Sequence, residues 1–190
     1  MIKILEIPGN GIGPIVTECG IMILKHLSKS EQIELEIAKL ELTEDEYLCT
    51  NKQRTDELIG IYKMYDYILF GAVGVENKAS NDYGGGLILE LRQKLDLYVN
   101  FRPAKQLSQM LNPLKKQDNF DLVIVRENTE CAYINMGDRI TLNSTNEIAI
   151  QTMLYTKEKT EKTIRYAFEL AKKRRKKLTL CDKSNIELKI

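Results

Sequence analysis

The sequence predicts an α/β fold in which a parallel or mixed sheet carries flanking helices. Two observations lead to this prediction. Short β-branched apolar runs alternate with segments of helical spacing along most of the chain, and the first of these runs is joined to the next helix by a glycine-rich turn. With 190 residues and no internal repeat or low-complexity tract, the chain can bury a sizeable core.

In the first half, the opening apolar run ends at Pro8-Gly9 and reads as a buried strand. Apolar residues then recur every three or four positions, which indicates a helix. The predicted order is strand 2–7, helix 12–27, strand 33–42, helix 55–65, strand 67–73, a turn-rich loop 81–86 and helix 87–95. This alternation is typical of a parallel sheet covered on both faces.

The second half begins with an extended segment, 97–103, in which Pro103 biases the preceding residue away from a helix. We expect a domain boundary near residue 104, which gives domains 1–103 and 104–190. The further predicted elements are strand 120–125, a hairpin within 131–144 that turns at Gly137-Asp138, strand 147–155, helix 157–173 and strand 178–181.

Composition argues against several classes of partner. Lys plus Arg (28) nearly balances Asp plus Glu (27), so we expect neither nucleic-acid nor membrane binding. The basic run 172–177 lacks interleaved aromatic residues, which favours a solvated helix end over a binding patch. Four separated cysteines favour reduced thiols and a cytoplasmic location, and the single histidine cannot form a metal site alone.

The opening loop supplies Gly9, Gly11 and Gly13 with the spacing G-x-G-x-G, which is not the dinucleotide-binding spacing G-x-G-x-x-G. Glycines at a turn between a strand and a helix allow the backbone to approach another group closely. That group can be another part of the chain or a ligand, and the loop alone leaves both interpretations open.

Three arginines are predicted at the ends of elements: Arg92 on a helix, Arg102 before Pro103, and Arg126 at the end of a strand. Arginine forks match carboxylates in paired hydrogen bonds, so a converging set would hold a dicarboxylate. The alternative is a local ion pair for each arginine, with Glu90, Asp96 or Glu127 as the partner.

Tyr133 and Lys183 are a candidate acid and base pair, because both residue types serve as general acids or bases when their pKa values are lowered. The alternative is a half-buried tyrosine and a surface lysine.

Five segments together resemble the β-decarboxylating dehydrogenases, the isocitrate and isopropylmalate dehydrogenase family. They are IPGNGIGP (7–14), LFGAVG (69–74), GLILELRQKLDLYVNFRP (86–103), DLVIVRENTE (121–130) and RYAFELAKKRRKKLTLCDKSN (165–185). The resemblance implies an isopropylmalate dehydrogenase-like fold, with residues 1–103 as the first half of the large domain. Residues 104–190 would then be the first part of the smaller dimerisation domain.

The resemblance also implies a reaction. In the family, a metal-bound 2-hydroxy acid passes hydride to NAD and then loses its 3-carboxylate as carbon dioxide. Arg92, Arg102 and Arg126 would bind the substrate carboxylates, Tyr133 would protonate the enolate, and Lys183 would assist deprotonation of the hydroxyl, in trans across a homodimer. Mg²⁺ or Mn²⁺ would polarise the hydroxyl.

Apolar residues before Arg92 favour the isopropylmalate branch of the family, since an apolar pocket suits an isopropyl group. These residues are Leu87, Ile88 and Leu89. The loop residues that would border the cofactor, by resemblance, are Gly9, Asn10, Gly11 and Ile12. Isocitrate, homoisocitrate, malate and tartrate stay open as substrates, as does the choice between NAD and NADP.

The resemblance covers only the amino-terminal half of the family pattern, so we expect a truncated version of the fold. The family's metal-binding aspartates and its adenosine-binding segment have no counterpart here, and no residues are assigned to a metal. Departures from the pattern include Asn10 for aspartate, Ile15 for glutamate, Cys131 for glycine and Ser184 for alanine. We therefore expect the chain alone to be inactive or only part of an enzyme.

Three hypotheses follow for what such a chain does. It is part of an enzyme that is completed by a complementing half, or it is a non-catalytic binding or regulatory relative that pairs with a full-length homologue. The third hypothesis is a remnant that folds poorly. An unpaired apolar strand at the edge of a half sheet would make the isolated chain dimerise or aggregate.

Overall fold

The computed structural model describes residues 1–42, 52–73, 86–108, 110, 112, 119–134, 136–143 and 146–182. The chain divides into two compact units, Met1–Leu95 and Asp96–Ile190. The assignment of 1–103 to a large domain and of 104–190 to a dimerisation domain stays a prediction. The predicted loop 81–86 lies outside the described residues except for its last residue.

The first unit is a parallel α/β arrangement, as the alternating pattern predicts. Its elements are β1 (Ile2–Ile7), α1 (Gly13–Ser30), β2 (Leu35–Lys39), α2 (Lys52–Tyr62), β3 (Tyr67–Phe70) and α3 (Leu87–Lys94). The three strands form a sheet of order β2-β1-β3, and both pairings to β1 are parallel. The predicted α/β class with a parallel sheet and flanking helices is therefore confirmed.

The core of the first unit forms between the central strand and its helices. Leu5 and Ile7 of β1 are 2% and 0% exposed, because β1 is paired on both edges. They belong to a cluster of buried residues to which α2 contributes Leu58, Ile59 and Tyr62, and α3 contributes Leu87 and Leu91. Burial of these side chains is the main favourable term for this unit, at about 2 kcal/mol for each large apolar side chain.

The second unit is built from two antiparallel strand pairs and one helix. Strands β4 (Val99–Lys105) and β5 (Asp121–Glu127) form one pair, and β6 (Gly137–Asn143) and β7 (Asn146–Gln151) form the other. A 3₁₀ turn covers Ala132–Ile134, and helix α4 covers Lys157–Lys172. Thr156 caps α4, since its hydroxyl accepts a hydrogen bond from the Lys159 N–H at 3.3 Å.

Three predictions for the second unit are wrong in detail. The hairpin turns between Asn143 and Asn146, whereas Gly137 lies in β6 opposite Gln151. A Cβ at Gly137 would meet the Ile150 carbonyl oxygen at 2.2 Å, so this glycine marks a close approach of strands. Residues 178–181 form no strand in the described chain. Strand β4 continues to Lys105, so Arg102 lies inside a strand and not at its end.

The basic run 172–177 contains the end of α4. Arg174 and Arg175 donate hydrogen bonds of 2.6 Å to the Asp121 carboxylate and carbonyl oxygens, respectively, and thereby fasten the helix end to β5. Within the described residues, no helix combines the length and apolar character needed to cross a membrane.

Candidate functional site

The glycine loop after β1 is held by its own backbone and by the segment after β3. Ile7 accepts a hydrogen bond from the Gly71 N–H at 2.8 Å, and the Asn10 N–H donates to the Ala72 carbonyl at 2.9 Å. The Gly13 N–H donates to the Asn10 carbonyl, also at 2.9 Å. Two of the loop's amides are therefore used inside the protein and do not point at a ligand.

The glycines are needed because two backbone segments touch. A Cβ at Gly9 would lie 2.1 Å from the Ala72 carbonyl oxygen, and one at Gly71 would lie 1.9 Å from that of Pro8. Gly9 and Gly11 also have φ values of +74° and +59°, which other L-residues rarely adopt. A Cβ at Gly13 would likewise lie 2.2 Å from the Pro8 carbonyl oxygen, so the structure supports close packing as the reason for Gly9 and Gly13. A cofactor role for Gly9, Asn10, Gly11 and the exposed Ile12 stays a prediction.

Helix α3 carries the predicted apolar set and Arg92. Leu87 is only 1% exposed and belongs to the core, so its side chain is not presented to a ligand. Ile88 and Leu89 are half-buried and lie one turn before the half-buried Arg92, on the same side of the helix. Of the predicted set, these two side chains and the guanidinium are placed to share one site.

The β4–β5 ribbon presents Asn100, Arg102 and Arg126 on one side, which we call the arginine face. Asn100 lies directly opposite Arg126, and Arg102 lies opposite Ile124. Directly opposed residues and residues two apart on a strand share one face, so Asn100, Arg102 and Arg126 point the same way. Arg102 and Arg126 are both exposed and are diagonal neighbours, about 7–8 Å apart at the backbone.

Tyr133 joins the arginine face from the 3₁₀ turn. The Arg126 guanidinium lies 5.1 Å from the centre of the Tyr133 ring, a cation–π contact. The structure therefore brings together three of the predicted site residues, Arg102, Arg126 and Tyr133. A clamp of three arginines stays a prediction, because Arg92 lies in the first unit. Lys183 lies outside the described residues.

The acidic residues near the arginine face are already used. Both oxygens of the Glu127 carboxylate accept hydrogen bonds, from the Thr129 N–H and hydroxyl at 2.7 Å and from the Glu130 N–H at 2.8 Å. Glu130, 7% exposed, accepts from the Thr156 N–H and hydroxyl at 2.7 Å. Asp96 is paired with Lys159 and Lys162. Two of the expected acidic partners, Glu127 and Asp96, thus have other contacts.

These contacts decide how well the residues fit a metal ion. Mg²⁺ is held by carboxylate, carbonyl and water oxygens, and here the Glu127 and Glu130 carboxylates accept hydrogen bonds from backbone N–H groups and threonine hydroxyls. Across the described residues, no group of three or more His, Cys, Asp or Glu side chains could hold a metal. The donor set near the arginine face therefore does not fit Mg²⁺ or Mn²⁺. The amides used within the glycine loop do not fit a dinucleotide pyrophosphate either.

Sequence reasoning missed two residues of the arginine face, Asn100 and Asn128. Asn128 is 6% exposed and bonds to Asn100 at 3.1 Å. A signal was present in the sequence: asparagine is disfavoured in strands, yet it stands between Val99 and Phe101 in a segment that otherwise reads as a strand. The polar run 127–130, which is buried from Asn128 onward, was the second signal.

Comparison with known proteins matches residues 3–189 to the isocitrate/isopropylmalate dehydrogenase family. A 3-isopropylmalate dehydrogenase of Corynebacterium efficiens is 38% identical over 185 residues, which cover 97% of this chain and 53% of that protein. A probable tartrate dehydrogenase/decarboxylase of Bacillus subtilis is 35% identical, with coverage of 96% and 52%. The chain spans about half the length of the curated relatives it matches.

Solved structures show the same relationship. An isocitrate dehydrogenase from Methylococcus capsulatus is similar over 100% of this chain and 53% of its own, with a TM-score of 0.78 and 25% identity. A β-decarboxylating dehydrogenase from Thermococcus kodakarensis, in its apo form, matches 92% of this chain and 46% of its own, with a TM-score of 0.60 and 29% identity.

Proposed function

The chain belongs to the isocitrate/isopropylmalate dehydrogenase family, and we propose that it supplies the substrate-binding half of a β-decarboxylating dehydrogenase site. The observation that carries this proposal is the arginine face, where Arg102 and Arg126 lie on one side of the β4–β5 ribbon with Tyr133 against Arg126. The substrate is a 2-hydroxy acid with two carboxylates, and oxidation by NAD followed by loss of carbon dioxide is the complete reaction.

The arginine face supports binding of a dianion for an electrostatic reason. Arg102 and Arg126 are exposed diagonal neighbours on one face. The Glu127 and Glu130 carboxylates are engaged by hydrogen bonds to Thr129, Thr156 and the backbone. A carboxylate that reaches both arginines replaces their hydration with charge-assisted hydrogen bonds. Tyr133, beside Arg126, is then placed to donate its phenolic proton to the carbanion left by decarboxylation.

We propose 3-isopropylmalate as the substrate, on the strength of α3. Ile88 and Leu89 offer apolar surface beside Arg92, which suits a substituent that is apolar next to a carboxylate. Isocitrate, homoisocitrate, malate and tartrate are the alternatives. They lack the isopropyl group, so burial of that group is the term that separates them, at roughly 25 cal/mol per Å².

The metal and the cofactor need residues beyond those described, so we propose a complementing polypeptide that corresponds to the other half of the relatives. Helix α1 supports this partner because it has two apolar sides. One side packs on the sheet through Gly13, Thr17 and Ile21. The other remains exposed, and we call it the α1 stripe: Ile12, Ile15, Val16, Cys19, Met22 and Ile23. A helix that is apolar nearly all round is normally buried.

A homodimer is the second proposed assembly, and the β6–β7 hairpin supports it. All six residues of β7 are exposed. Ile148 lies opposite Ile140 and shares a face with Ile150, so the hairpin presents an apolar face. A second copy would cover that face, and Lys183 would then act in trans. A cytoplasmic location is proposed from the cysteines, since Cys19, Cys131 and Cys181 are free thiols.

One alternative function is supported by a specific observation. The arginine face is complete enough to bind a dicarboxylate, while the described residues near it do not fit a metal. A chain with these properties could bind the substrate or a full-length homologue without catalysis. We rank this non-catalytic role second, because a pure binding role does not require a phenolic proton donor, and Tyr133 lies against Arg126.

Calorimetric titration and a hydride-transfer assay together test the proposal. The purified chain is titrated with 3-isopropylmalate, isocitrate, malate and tartrate, and reduction of NAD is followed with Mg²⁺, with and without a separately produced carboxy-terminal half of a relative. Binding of 3-isopropylmalate with activity only in the mixture is the expected result. Binding without activity in the mixture would favour the non-catalytic role. Absence of dicarboxylate binding would refute the substrate-binding role of the arginine face, with or without catalysis.

A further inference from the structure

The arginine face contains a chain of side-chain hydrogen bonds that begins at a backbone carbonyl and ends on Arg102. The Asn128 amide nitrogen donates to the Leu97 carbonyl at 2.9 Å, and the Asn100 amide nitrogen donates to the Asn128 amide oxygen at 3.1 Å. Arg102 Nε then donates to the Asn100 amide oxygen at 2.9 Å. All three distances lie in the normal range for N–H···O bonds.

The direction of these bonds is fixed from both ends. The Leu97 carbonyl can only accept, so the NH₂ group of Asn128 must face it and its amide oxygen must face Asn100. Arg102 Nε can only donate, so the amide oxygen of Asn100 must face it. Flipping either asparagine amide would set like groups against each other, and each amide therefore has one orientation.

The buried end of the chain makes it rigid. Asn128 is 6% exposed, and its own N–H donates to the Tyr98 carbonyl at 3.0 Å, so both its backbone and its side chain are anchored to the segment that leads into β4. Breaking its side-chain bonds would leave a buried amide without partners, which is unfavourable. Asn100 transmits this rigidity to an arginine that is otherwise exposed.

We propose that Asn100 and Asn128 are positioning residues that hold Arg102 in the orientation in which it binds a substrate carboxylate. This relay, as we call the four groups Leu97 C=O, Asn128, Asn100 and Arg102, rests on the proposed function of the arginine face. The hydrogen bond to Asn100 uses only Nε of Arg102, which leaves the two terminal nitrogens available to a ligand. Those two nitrogens form the fork that meets a carboxylate in two parallel hydrogen bonds.

The relay strengthens binding by reducing the conformational entropy lost when a ligand is bound. A free arginine side chain loses rotamer entropy when a ligand fixes it. An arginine that is already held at Nε loses less, so the same ligand binds more tightly. Asn100 is therefore expected to change affinity without touching the ligand.

The test combines nuclear magnetic resonance of arginine side chains with calorimetry on the full chain. The Nε–Hε signal of Arg102, assigned by its loss in Arg102→Lys, is followed for hydrogen exchange with water. The variants are Asn100→Ala, the isosteric Asn100→Asp, and Asn119→Ala as a control at an exposed asparagine of the same unit. Each is titrated with 3-isopropylmalate.

Asn100→Ala is expected to speed exchange of Arg102 Hε about tenfold, to leave the Arg126 Nε signal in place, and to raise the dissociation constant three- to tenfold, roughly the value of one hydrogen bond. Asn100→Asp keeps the acceptor for Arg102 Nε but loses the donor to the Asn128 amide oxygen, so Hε exchange should lie between those of the wild type and Asn100→Ala, while the added negative charge weakens dianion binding. The Asn119→Ala variant should match the wild type.

Two results would overturn the relay. Unchanged Hε exchange in Asn100→Ala would show that Asn100 does not hold Arg102. If the wild type binds 3-isopropylmalate and Asn100→Ala binds it with the same dissociation constant, the hydrogen bond from Arg102 to Asn100 does not affect affinity. A wild-type chain that binds no dicarboxylate would instead refute the proposed function, and with it the relay's role.

Discussion

The glycine loop of the first unit and the arginine face of the second use their polar groups in opposite ways. In the loop, the Asn10 and Gly13 amides bond to carbonyls of the protein, and the glycines allow two backbone segments to touch. On the arginine face, the side chains of Arg102 and Arg126 are exposed on a ribbon that is already paired through its backbone. The loop is therefore needed for folding, and the face is available for binding.

This difference shows what a glycine motif and a strand of alternating side chains each indicate. A glycine pattern indicates only that another group approaches the backbone closely, and here that group is another backbone segment of the same chain. Arg102 and Arg126 contact Asn100 and Tyr133 but pair with no carboxylate among the described residues, so their charge is available to an anionic ligand. Substitutions in the loop should therefore change stability, whereas substitutions on the face should change binding.

The largest effect is expected from Gly71→Ala. Its Cβ would meet the Pro8 carbonyl oxygen at 1.9 Å and the Thr17 Cγ2 at 2.9 Å, so the backbone must move. We expect a loss of about 3 kcal/mol or more in the free energy of unfolding, measured by urea titration. Gly60→Ala is the matched control, because nothing lies within 4 Å of a Cβ there and α2 should gain up to about 1 kcal/mol. Equal free energies of unfolding for the two variants would contradict the structural role of the close approach at Gly71.

The second effect concerns binding alone. Arg126→Lys keeps the charge but loses the fork and the planar contact with Tyr133. We expect the dissociation constant for 3-isopropylmalate to rise roughly tenfold to hundredfold with little change in stability. Arg165→Lys serves as the control, since Arg165 is 72% exposed and paired with Glu161 on α4. A large loss of stability in Arg126→Lys would show that the face, like the loop, is structural.

A smaller effect on stability is expected where a residue other than glycine has a positive φ, as Gly9 and Gly11 have in the loop. In the second unit, Lys176 has a φ of +55°, and its N–H closes the end of α4 on the Ala171 carbonyl at 3.0 Å. Glycine is preferred at such a position, so Lys176→Gly should stabilise the chain by about 0.5–1 kcal/mol. Lys173→Gly, at a φ of −79°, should give no gain. Thermal unfolding of both variants measures the difference, and a less stable Lys176→Gly variant would contradict the reasoning.

The smallest effect is a dependence on pH. The hydrogen bond from Arg174 holds the pKa of the Asp121 carboxyl below its usual value of 3.8. A lowered pKa stabilises the folded state above pH 3.8, and this contribution is lost as the pH falls through the folded-state value. Asp121→Asn should therefore melt slightly below the wild type at neutral pH, and the gap should close in acid. Melting curves across this range would refute the ion pair's role if the gap stayed constant.

Much of the fold follows from local patterns. Strands β1 and β3 and helices α1 and α4 have strong periodicity or clear turns at their ends, so their existence and type could be predicted. The hairpin turn could not, because a glycine in a strand and a glycine in a turn look alike in sequence. Gly137 is explained only by Ile150, which is distant in sequence and close in the ribbon.

For the candidate site, the sequence indicates residue types and the structure adds their placement, while their roles stay predictions. Arg102, Arg126 and Tyr133 were found from residue type and resemblance, and the structure places them together. Leu87 was assigned to the pocket because periodicity does not tell which side of a short helix faces the core. Asn100 and Asn128 escaped because their importance lies in a pairing between β4 and the end of β5, which no local pattern shows.

The most direct test of the different uses of the two regions is a titration of the ¹⁵N-labelled chain with 3-isopropylmalate, followed through backbone amides and arginine Nε–Hε signals. We predict shifts at Arg102, Arg126 and the amides of β4 and β5, and none at the Asn10 and Gly13 amides, which are bonded within the protein. Shifts confined to the glycine loop, with the arginine face unchanged, would contradict the assignment of binding to the face and of folding to the loop.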